Sequence, residues 1–538
     1  MPPECDRLAF LTMFAGPDKR HKIFVLLTMC FALFMVMLDN TVVNVALPTI
    51  SRDLAAGVSG LQWIVDGYVL AVASLLLTGG ILGDRYGRKR IFLWGLAIFT
   101  LSSFACGLSA STGQLIAFRG LQGVGGALLM PGTLSILTVT FPAQERAKAI
   151  GIWAGVSGLA LALGPTLGGW IVEHVGWESV FFLNVPIGLA GLLVGRRIVR
   201  ESVSEQTRHL DIPGLALGTA ALFSATYGLI EANQLGWTDP IIIGAIAAAG
   251  VLLLAFLARE RRSDHAMLPL PFFRIPAFSA GNHVAFSISL GMFGTFFFMS
   301  LYMQIIRGYS PFDAGVRFLP MTLMIVLWAP QAGRIAQRYG SKWPMTIGLT
   351  MAASGLVLLS RVSATTSFGL IAPVFVIMGI GMASTMTPMT AAVMNAVGPP
   401  RAGLGSAMTN TSREVGGVFG IALLGTILTT RLKSSLAAGL AGIGLTGRQA
   451  IAIQSSAGHG RVDPGVLRSL TPDQQSAVLH AFSNSFLSGF HLALLVAAAV
   501  LFSAAVIAYA FIPSGAPKAD GPRTGGRLPE PTPEPLGV

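Results

Sequence analysis

Residues 79–95 read GGILGDRYGRKRIFLWG, and residues 332–348 read AGRIAQRYGSKWPMTIG, a second copy 253 positions downstream. Six positions coincide: Gly80/Gly333, Arg85/Arg338, Tyr86/Tyr339, Gly87/Gly340, Lys89/Lys342 and Gly95/Gly348. Each copy is a short basic turn between two apolar runs. A fainter echo follows, in which Gly123 and Gly125 of GVGGALLMP match Gly379 and Gly381 of GIGMASTMTP at an offset of 256. A chain that repeats itself at this distance consists of two similar halves, which would enclose a cavity between them.

The apolar runs say what the halves are made of. A helix needs about 20 apolar residues, at 1.5 Å each, to cross the hydrocarbon core of a bilayer. Fourteen such runs are predicted, at 23–47, 61–82, 91–108, 115–141, 147–172, 180–195, 212–229, 240–257, 278–303, 314–336, 345–359, 368–393, 403–430 and 486–512. Only 11% of the 538 residues are charged, against roughly 25% in a soluble domain. The mean hydropathy of +0.68 leaves too little polar surface to face water, and a soluble fold is excluded. The expected fold class is an all-α integral membrane protein with two six-helix bundles and two inserted helices. Its domains fall at 1–200, 201–277 and 278–512, with an outside loop at 432–485 and a disordered, Pro- and Gly-rich cytoplasmic tail at 513–538.

A net charge of +12 invites a nucleic-acid partner, but the distribution of the cations argues against one. With the N-terminus inside, 25 of the 36 Lys and Arg fall on inside segments and 9 on outside segments, with those at span ends counted in the adjoining segment; the remaining two, Arg119 and Arg413, lie well inside predicted helices. This is the positive-inside asymmetry of a membrane protein with both termini in the cytoplasm. The first run follows Lys19, Arg20 and Lys22 and is too long for a cleaved signal. The cysteines Cys5, Cys30 and Cys106 are scattered, without CxxC or a histidine cluster, so neither a metal nor a disulfide framework is expected. No GxxxxGK[ST] loop and no convergent His, Ser or ligand set is present, which argues against a nucleotide-driven pump and against an enzyme. Short loops leave no room for the ectodomain of a receptor.

The charges inside the spans carry the chemistry. Asp39 lies about 24 Å along the first helix from Ile23 at 1.5 Å per residue, in the outer half of the membrane. A lone charged Asp near a helix centre costs about 2.5–3.5 kcal/mol, so it must be paired or carry its proton. Asp66, in WIVDGYVLA, enters from the outside to a similar depth, and Arg119 is placed to meet one of the two acids. Each acid is either a proton carrier or a structural hydrogen-bonding group, and the pair with Arg119 is either exchangeable or static. Arg413 and Glu414 are neighbours on the thirteenth helix, about 100° apart around it, and cannot easily share one partner. On the fifth helix, Gly151, Gly155, Gly158, Gly164, Gly168 and Gly169 allow close packing, and Pro165 introduces a kink, together suggesting an outer gate. Tyr68, Phe298, Tyr302, Met303 and Gln304 are either a soft aromatic cavity surface or lipid-facing packing.

These motifs together resemble the fourteen-helix drug:proton antiporter family of the major facilitator superfamily, the QacA/EmrB type. The run Gly83-Asp84-Arg85-Tyr86-Gly87-Arg88-Lys89 is similar to the superfamily's signature between helices two and three. The resemblance implies a conformational latch formed by Gly83, Asp84, Arg85, Gly87 and Arg88. Within it, Gly83 would permit close helix approach, Asp84 would cap a neighbouring helix N-terminus and the cations would anchor the turn. LDNTVVNVALPTI at 38–50 resembles the first-helix signature and Arg119 the fourth-helix arginine. GVSGLALALGPTLGGW at 155–170 resembles the antiporter signature, and NTSR before Glu414 has a counterpart in the family. The implied activity is proton-coupled efflux of hydrophobic or cationic amphipathic compounds across a bacterial plasma membrane. The proton gradient would be the energy source, with no cofactor or metal. Asp66 leans toward the QacA-like branch, a single chain acting as a monomer, rather than the EmrB-like branch with its periplasmic adaptor. The alternative is export of one endogenous metabolite, antibiotic or lipid.

Overall fold

A computed structural model describes residues 19–514 apart from 204–210, 264–269, 398–401, 458–461 and 463. Residues 1–18 and the expected tail from 515 onward therefore lie outside the described residues. Among those described there is no strand, and fourteen helices are long and apolar enough to cross a membrane. We label them α1 (Lys19–Asp53), α2 (Val58–Tyr86), α3 (Arg88–Gly107), α4 (Thr112–Thr140), α5 (Ala143–His174), α6 (Asn184–Ile198, after a short helix at Glu178–Phe182) and α7 (Ile212–Leu235). The second set is α8 (Pro240–Arg262), α9 (Pro276–Leu301), α10 (Leu319–Tyr339, after a short helix at Pro311–Arg317), α11 (Lys342–Leu359), α12 (Phe368–Val397), α13 (Ala402–Leu440) and α14 (Pro472–Phe511).

Helices α1–α6 form one bundle and α9–α14 the other, and they meet along α2 against α13, α5 against α10 and α1 against α9. The repeat read from the sequence is repeated in the packing. A Cβ on Gly95 would stand 3.0 Å from the Gly125 carbonyl, and one on Gly348 would stand 2.5 Å from that of Gly381. Likewise Gly123 lies against the main chain of Tyr68 and Gly379 against that of Met321. The same glycines thus bring α3 onto α4 and α4 onto α2 in one half, and α11 onto α12 and α12 onto α10 in the other. Small residues are what let helices associate closely where water exclusion cannot drive them together.

The inserted helices attach differently. α7 lies across the seam, touching both α2 and α13, and α8 packs on α7 with only 6% of its most apolar stretch buried. A helix so apolar and so exposed is one that faces lipid. Glu231 of α7 accepts hydrogen bonds from Ser59 (3.2 Å) and Trp63 (2.8 Å) of α2, while Thr426 of α13 donates to the Leu229 carbonyl.

One boundary differs from expectation. In the outside segment 432–485, where the sequence from Thr471 reads as an amphipathic helix, α14 does start at Pro472, but the part expected as loop is also largely helical, because α13 continues to Leu440 and a further helix spans Gly447–Ala457. Leu432, Leu436 and Leu440 recur every fourth residue and are buried together with Ile453, Val478 and Phe482. Hydropathy averaging hides a one-sided stripe of this kind when its other face is polar. Thr471 closes the N-terminus of α14 with a capping box to Gln474.

Candidate functional site

Asp39 of α1 and Arg119 of α4 have fully buried side chains and face each other, with Nη1 of the arginine 2.5 Å from Oδ2 of the acid. The second carboxylate oxygen accepts from Gln122 Nε2 (3.0 Å) and Asn184 Nδ2 (2.9 Å). Arg119 in turn donates to Gln122 Oε1 (2.8 Å) and, through Nε, to the Ile64 carbonyl (3.1 Å), and its guanidinium stands 4.2 Å over the Tyr68 ring. Asn184 is held by Ser103, whose hydroxyl donates to the Phe181 carbonyl. The group is therefore a connected network drawn from α1, α2, α3, α4 and α6, as a buried charge pair requires when each leftover donor or acceptor would cost free energy. Sequence reading paired Arg119 with one of two acids, and the structure selects Asp39. It missed Gln122, Asn184 and Ser103. Gln122 was open to discovery as the residue one turn from Arg119 on the same helix face, and Asn184 as a lone amide in an apolar span.

Asp66 is also fully buried, yet neither of its oxygens has a hydrogen-bond partner among the described residues. One turn outward on the same face of α2, Gln62 donates across the seam to the Ile421 carbonyl of α13 (2.8 Å). Ser59 and Trp63, which flank it around the helix, reach Glu231 of α7, so Asp66 lies on the strip of α2 between α13 and α7, about 6 Å along α2 from the Gln62 bond at 1.5 Å per residue. Glu414 lies on α13 about 10 Å below the same bond. Its Oε2 and the Nε of Arg413 are buried without hydrogen-bond partners. Asp66 is thus an acid with both oxygens unpartnered among the described residues, Glu414 has one buried oxygen unpartnered, and Asp39 is tightly held.

The C-terminal half carries no counterpart of this charge. At the offsets of the repeat, the place of Tyr68 is taken by Met321 and that of Arg119 by Phe375, which joins Phe318 and Phe296 in a stack with ring centroids 5.8 and 5.0 Å apart.

Tyr68, Phe298 and Tyr302 are each at most 1% exposed, so none of them faces lipid in this structure. Tyr68 is the platform beneath Arg119, and Tyr302 stacks on Phe490 with its hydroxyl donating to the Ser363 carbonyl. Gln304 spans the two halves, as described below.

The turn between α2 and α3 also departs from expectation. Gly87 has φ +108°, which favours glycine, and Asp84 binds Arg88 at 2.8 Å rather than capping a neighbouring helix. The capping carboxylate belongs to Glu201, which accepts from the N–H groups of Lys89 (3.0 Å) and Arg90 (3.1 Å) at the start of α3. Gly83 has only the Arg88 backbone within 4.0 Å, so the close crossing expected there lies instead at Gly79, against Ala127 of α4. Arg85 stacks over Tyr86.

The fifth-helix motif divides in two. At the end far from the chain termini, Gly164 lies against Thr41 and Gly168 against Val42 of α1. Gly169 lies against Pro311 and Phe312, and the Pro165 carbonyl against Gly315. At the other end, Gly151 and Gly155 have no neighbour within 4 Å. The hydrogen bonds that join the bundles among the described residues gather at the same far end: Gln62 to Ile421, Ser300 to Asn44, Gln304 to Val45, Thr166 to Gly315 and Phe312 to Glu173. The seam is shut on the far face.

Two pseudo-symmetric six-helix bundles, with a buried ion pair in one of them and a seam closed at one end, define a membrane transporter that works between its halves. Residues 29–421 match the Major Facilitator Superfamily, and the chain belongs to that family. It is 38% identical over 490 residues to the "Tetracenomycin C resistance and export protein" of Streptomyces glaucescens, covering 90% of each chain. To the "Multidrug resistance protein Stp" of Mycobacterium tuberculosis it is 36% identical over 422 residues, 78% of each chain. The crystal structure of a bacterial homologue of the human lysosomal transporter Spinster, in an inward-facing, occupied conformation, shares the fold, with a TM-score of 0.64 at 17% identity over 91% of this chain and 97% of that one.

Proposed function

We propose that this chain is a proton-coupled efflux antiporter that exports hydrophobic or cationic amphipathic compounds by alternating access. It would work as a single chain in a bacterial plasma membrane, with both termini in the cytoplasm and without a cofactor. The single observation that carries the proposal is the contrast between Asp39, locked by Arg119, Gln122 and Asn184, and Asp66, buried at the seam with no partner. A carboxyl without an ion pair exchanges a proton without first breaking one, and when deprotonated it supplies a counter-charge for a cationic substrate. Asp39 and Arg119 hold the adjoining helices in register. The far face, shut in this structure, becomes the outer side under the charge asymmetry of the loops, and the open Gly151 and Gly155 end becomes the cytoplasmic side. The names of the two relatives, both resistance proteins and one also an export protein, support small-molecule export.

The test is uptake of ethidium into inside-out vesicles under an imposed proton gradient. Native protein is expected to accumulate the dye, the Asp66→Asn variant to fail to accumulate it, and dissipating the gradient to abolish uptake. Native vesicles that hold inserted protein yet take up no dye would remove the broad-substrate assignment. Gradient-driven uptake of tetracenomycin C by vesicles that take up no ethidium would favour a dedicated exporter, the narrower reading that the name of the first relative supports.

A further inference from the structure

Pro48 lies inside α1, four residues after Asn44. In an α-helix the N–H of residue 48 would donate to the Asn44 carbonyl, but proline has no N–H, so that carbonyl has no donor within its own helix. The missing donor comes from the other half of the molecule. Ser300 Oγ of α9 donates to the Asn44 carbonyl at 2.8 Å, and Gln304 Nε2 donates to the adjacent Val45 carbonyl at 2.9 Å and to Ser300 Oγ at 3.1 Å. The receiving helix is matched by an irregularity in the donating one. Tyr302–Ile306 forms a π-helical turn, closed by Arg307 N–H to the Tyr302 carbonyl at 3.1 Å, and it begins one residue after Leu301, the position that the 253-residue offset assigns to Pro48. Such turns reposition side chains that a regular helix would carry round to another face.

We infer that Pro48, Ser300 and Gln304 form a latch on the far face, in which proline empties a carbonyl of α1 so that only the opposite bundle can fill it. The contact is closed off from the surface: Ser300 is fully buried and Asn44 nearly so. Opening strips the Asn44 carbonyl of its donor, and α1 cannot supply a replacement, so the bond is recovered only from water entering the opened seam. An ordinary helix would lose nothing at this point. Asn44 lies five residues beyond Asp39, about 7.5 Å along the same helix, so the latch also positions α1, and with it the acid, in the closed state. Gln304 is then a gating residue and not a cavity wall. The inference rests on the alternating-access reading only in requiring that the far face open.

The experiment measures that opening directly, by electron–electron distance spectroscopy between spin labels at Val175→Cys and Ser367→Cys, both exposed on the far face, in a background lacking the three native cysteines. Loss of one hydrogen bond, worth about 1 kcal/mol, corresponds to about fivefold in population. Ser300→Ala is expected to raise the long-distance population by about fivefold, and Ser300→Thr, which keeps the hydroxyl, to leave it near native. Pro48→Ala restores the N–H and is expected to act like Ser300→Ala, so that adding Ser300→Ala to Pro48→Ala changes the ratio by less than about twofold. Multiplying effects, or a Ser300→Ala distribution indistinguishable from native, would overturn the latch. Should Pro48→Ala not fold, the Ser300→Ala and Ser300→Thr pair decides alone. Ethidium uptake by the same proteins separates the two proposals: distances that respond as described in a chain that carries no dye would leave the latch standing and remove the substrate assignment.

Discussion

Removing one member of the buried pair should be far worse than removing both. Asp39 and Arg119 have no side-chain exposure, and the acid accepts from three donors while the guanidinium donates to Asp39, Gln122 and the Ile64 carbonyl. In Arg119→Met, Asp39 keeps two amide donors but loses its counter-charge. In Asp39→Asn, the guanidinium keeps two carbonyl acceptors and loses the acid. Breaking a buried pair from either side costs about 3–5 kcal/mol, because an uncompensated charge is left in a low-dielectric interior. The double variant Asp39→Leu/Arg119→Met buries no charge and leaves Gln122 short of two partners and Asn184 and the Ile64 carbonyl short of one each. Part of its cost, about 1–3 kcal/mol for an unmet buried polar group, is relieved because the two amides can turn toward each other and Ser103. The double variant should therefore be more stable than either single one, with a coupling of at least about 3 kcal/mol. The assay is unfolding in mixed micelles, followed by loss of near-ultraviolet dichroism as the denaturing detergent fraction rises. Additive single losses, or single variants within about 1 kcal/mol of native, would refute the view that the pair is held as charge. The double variant should fold and yet fail to accumulate ethidium, separating the structural part of the network from the transport it serves.

Asp66 offers the opposite profile. It has no hydrogen bond to lose, so Asp66→Asn should change stability by less than about 1 kcal/mol while abolishing gradient-driven accumulation, as paired unfolding and vesicle measurements would show. On α5, Gly169→Ala pushes a methyl into the Pro311 carbonyl whereas Gly155→Ala meets nothing within 4 Å. At about 1–3 kcal/mol for overpacking, the first should open the far-face spin-label distance and the second should leave it native. A pH effect is expected at Asp211, just before α7. Burial by itself would raise its carboxyl, but the Gly214 N–H, the Ser263 hydroxyl and Arg259 outweigh burial and hold it below the ordinary value. A depressed acid contributes its stability above the unfolded value near pH 3.9 and loses it as pH falls through the folded value. Asp211→Asn should accordingly lower the melting temperature at neutral pH, and the gap to native should close below about pH 4.

Much of the architecture follows from local chemistry. Runs of apolar residues long enough to span lipid leave the backbone no option but helix, so fourteen spans, their order and the duplication could be read directly. The Gly95 and Gly348 motif survived for the same reason: a close crossing tolerates nothing larger. What could not be read concerns ends and partners. The helical continuation of α13 to Leu440 depends on a stripe whose burial is decided by α14, and the cap on α3 comes from Glu201, over a hundred residues away.

The sequence by itself determined that charges stand inside the membrane at Asp39, Asp66, Arg119, Arg413 and Glu414, since hydrocarbon makes each of them costly enough to demand a reason. Only the tertiary structure decided which of them are paired. Hydrogen bonding acts over about 3 Å, and no periodicity along one helix reports which neighbour arrives at that distance. Arg119 reached Asp39 because α4 faces α1, while Asp66 stands on the side of α2 where Gln62 meets α13 and Trp63 meets α7. Pro48 shows the same division in a single residue. Its missing N–H is a fact of covalent chemistry, legible in LDNTVVNVALPTI, while the donor that answers it is Ser300, brought there by the packing of one bundle against the other.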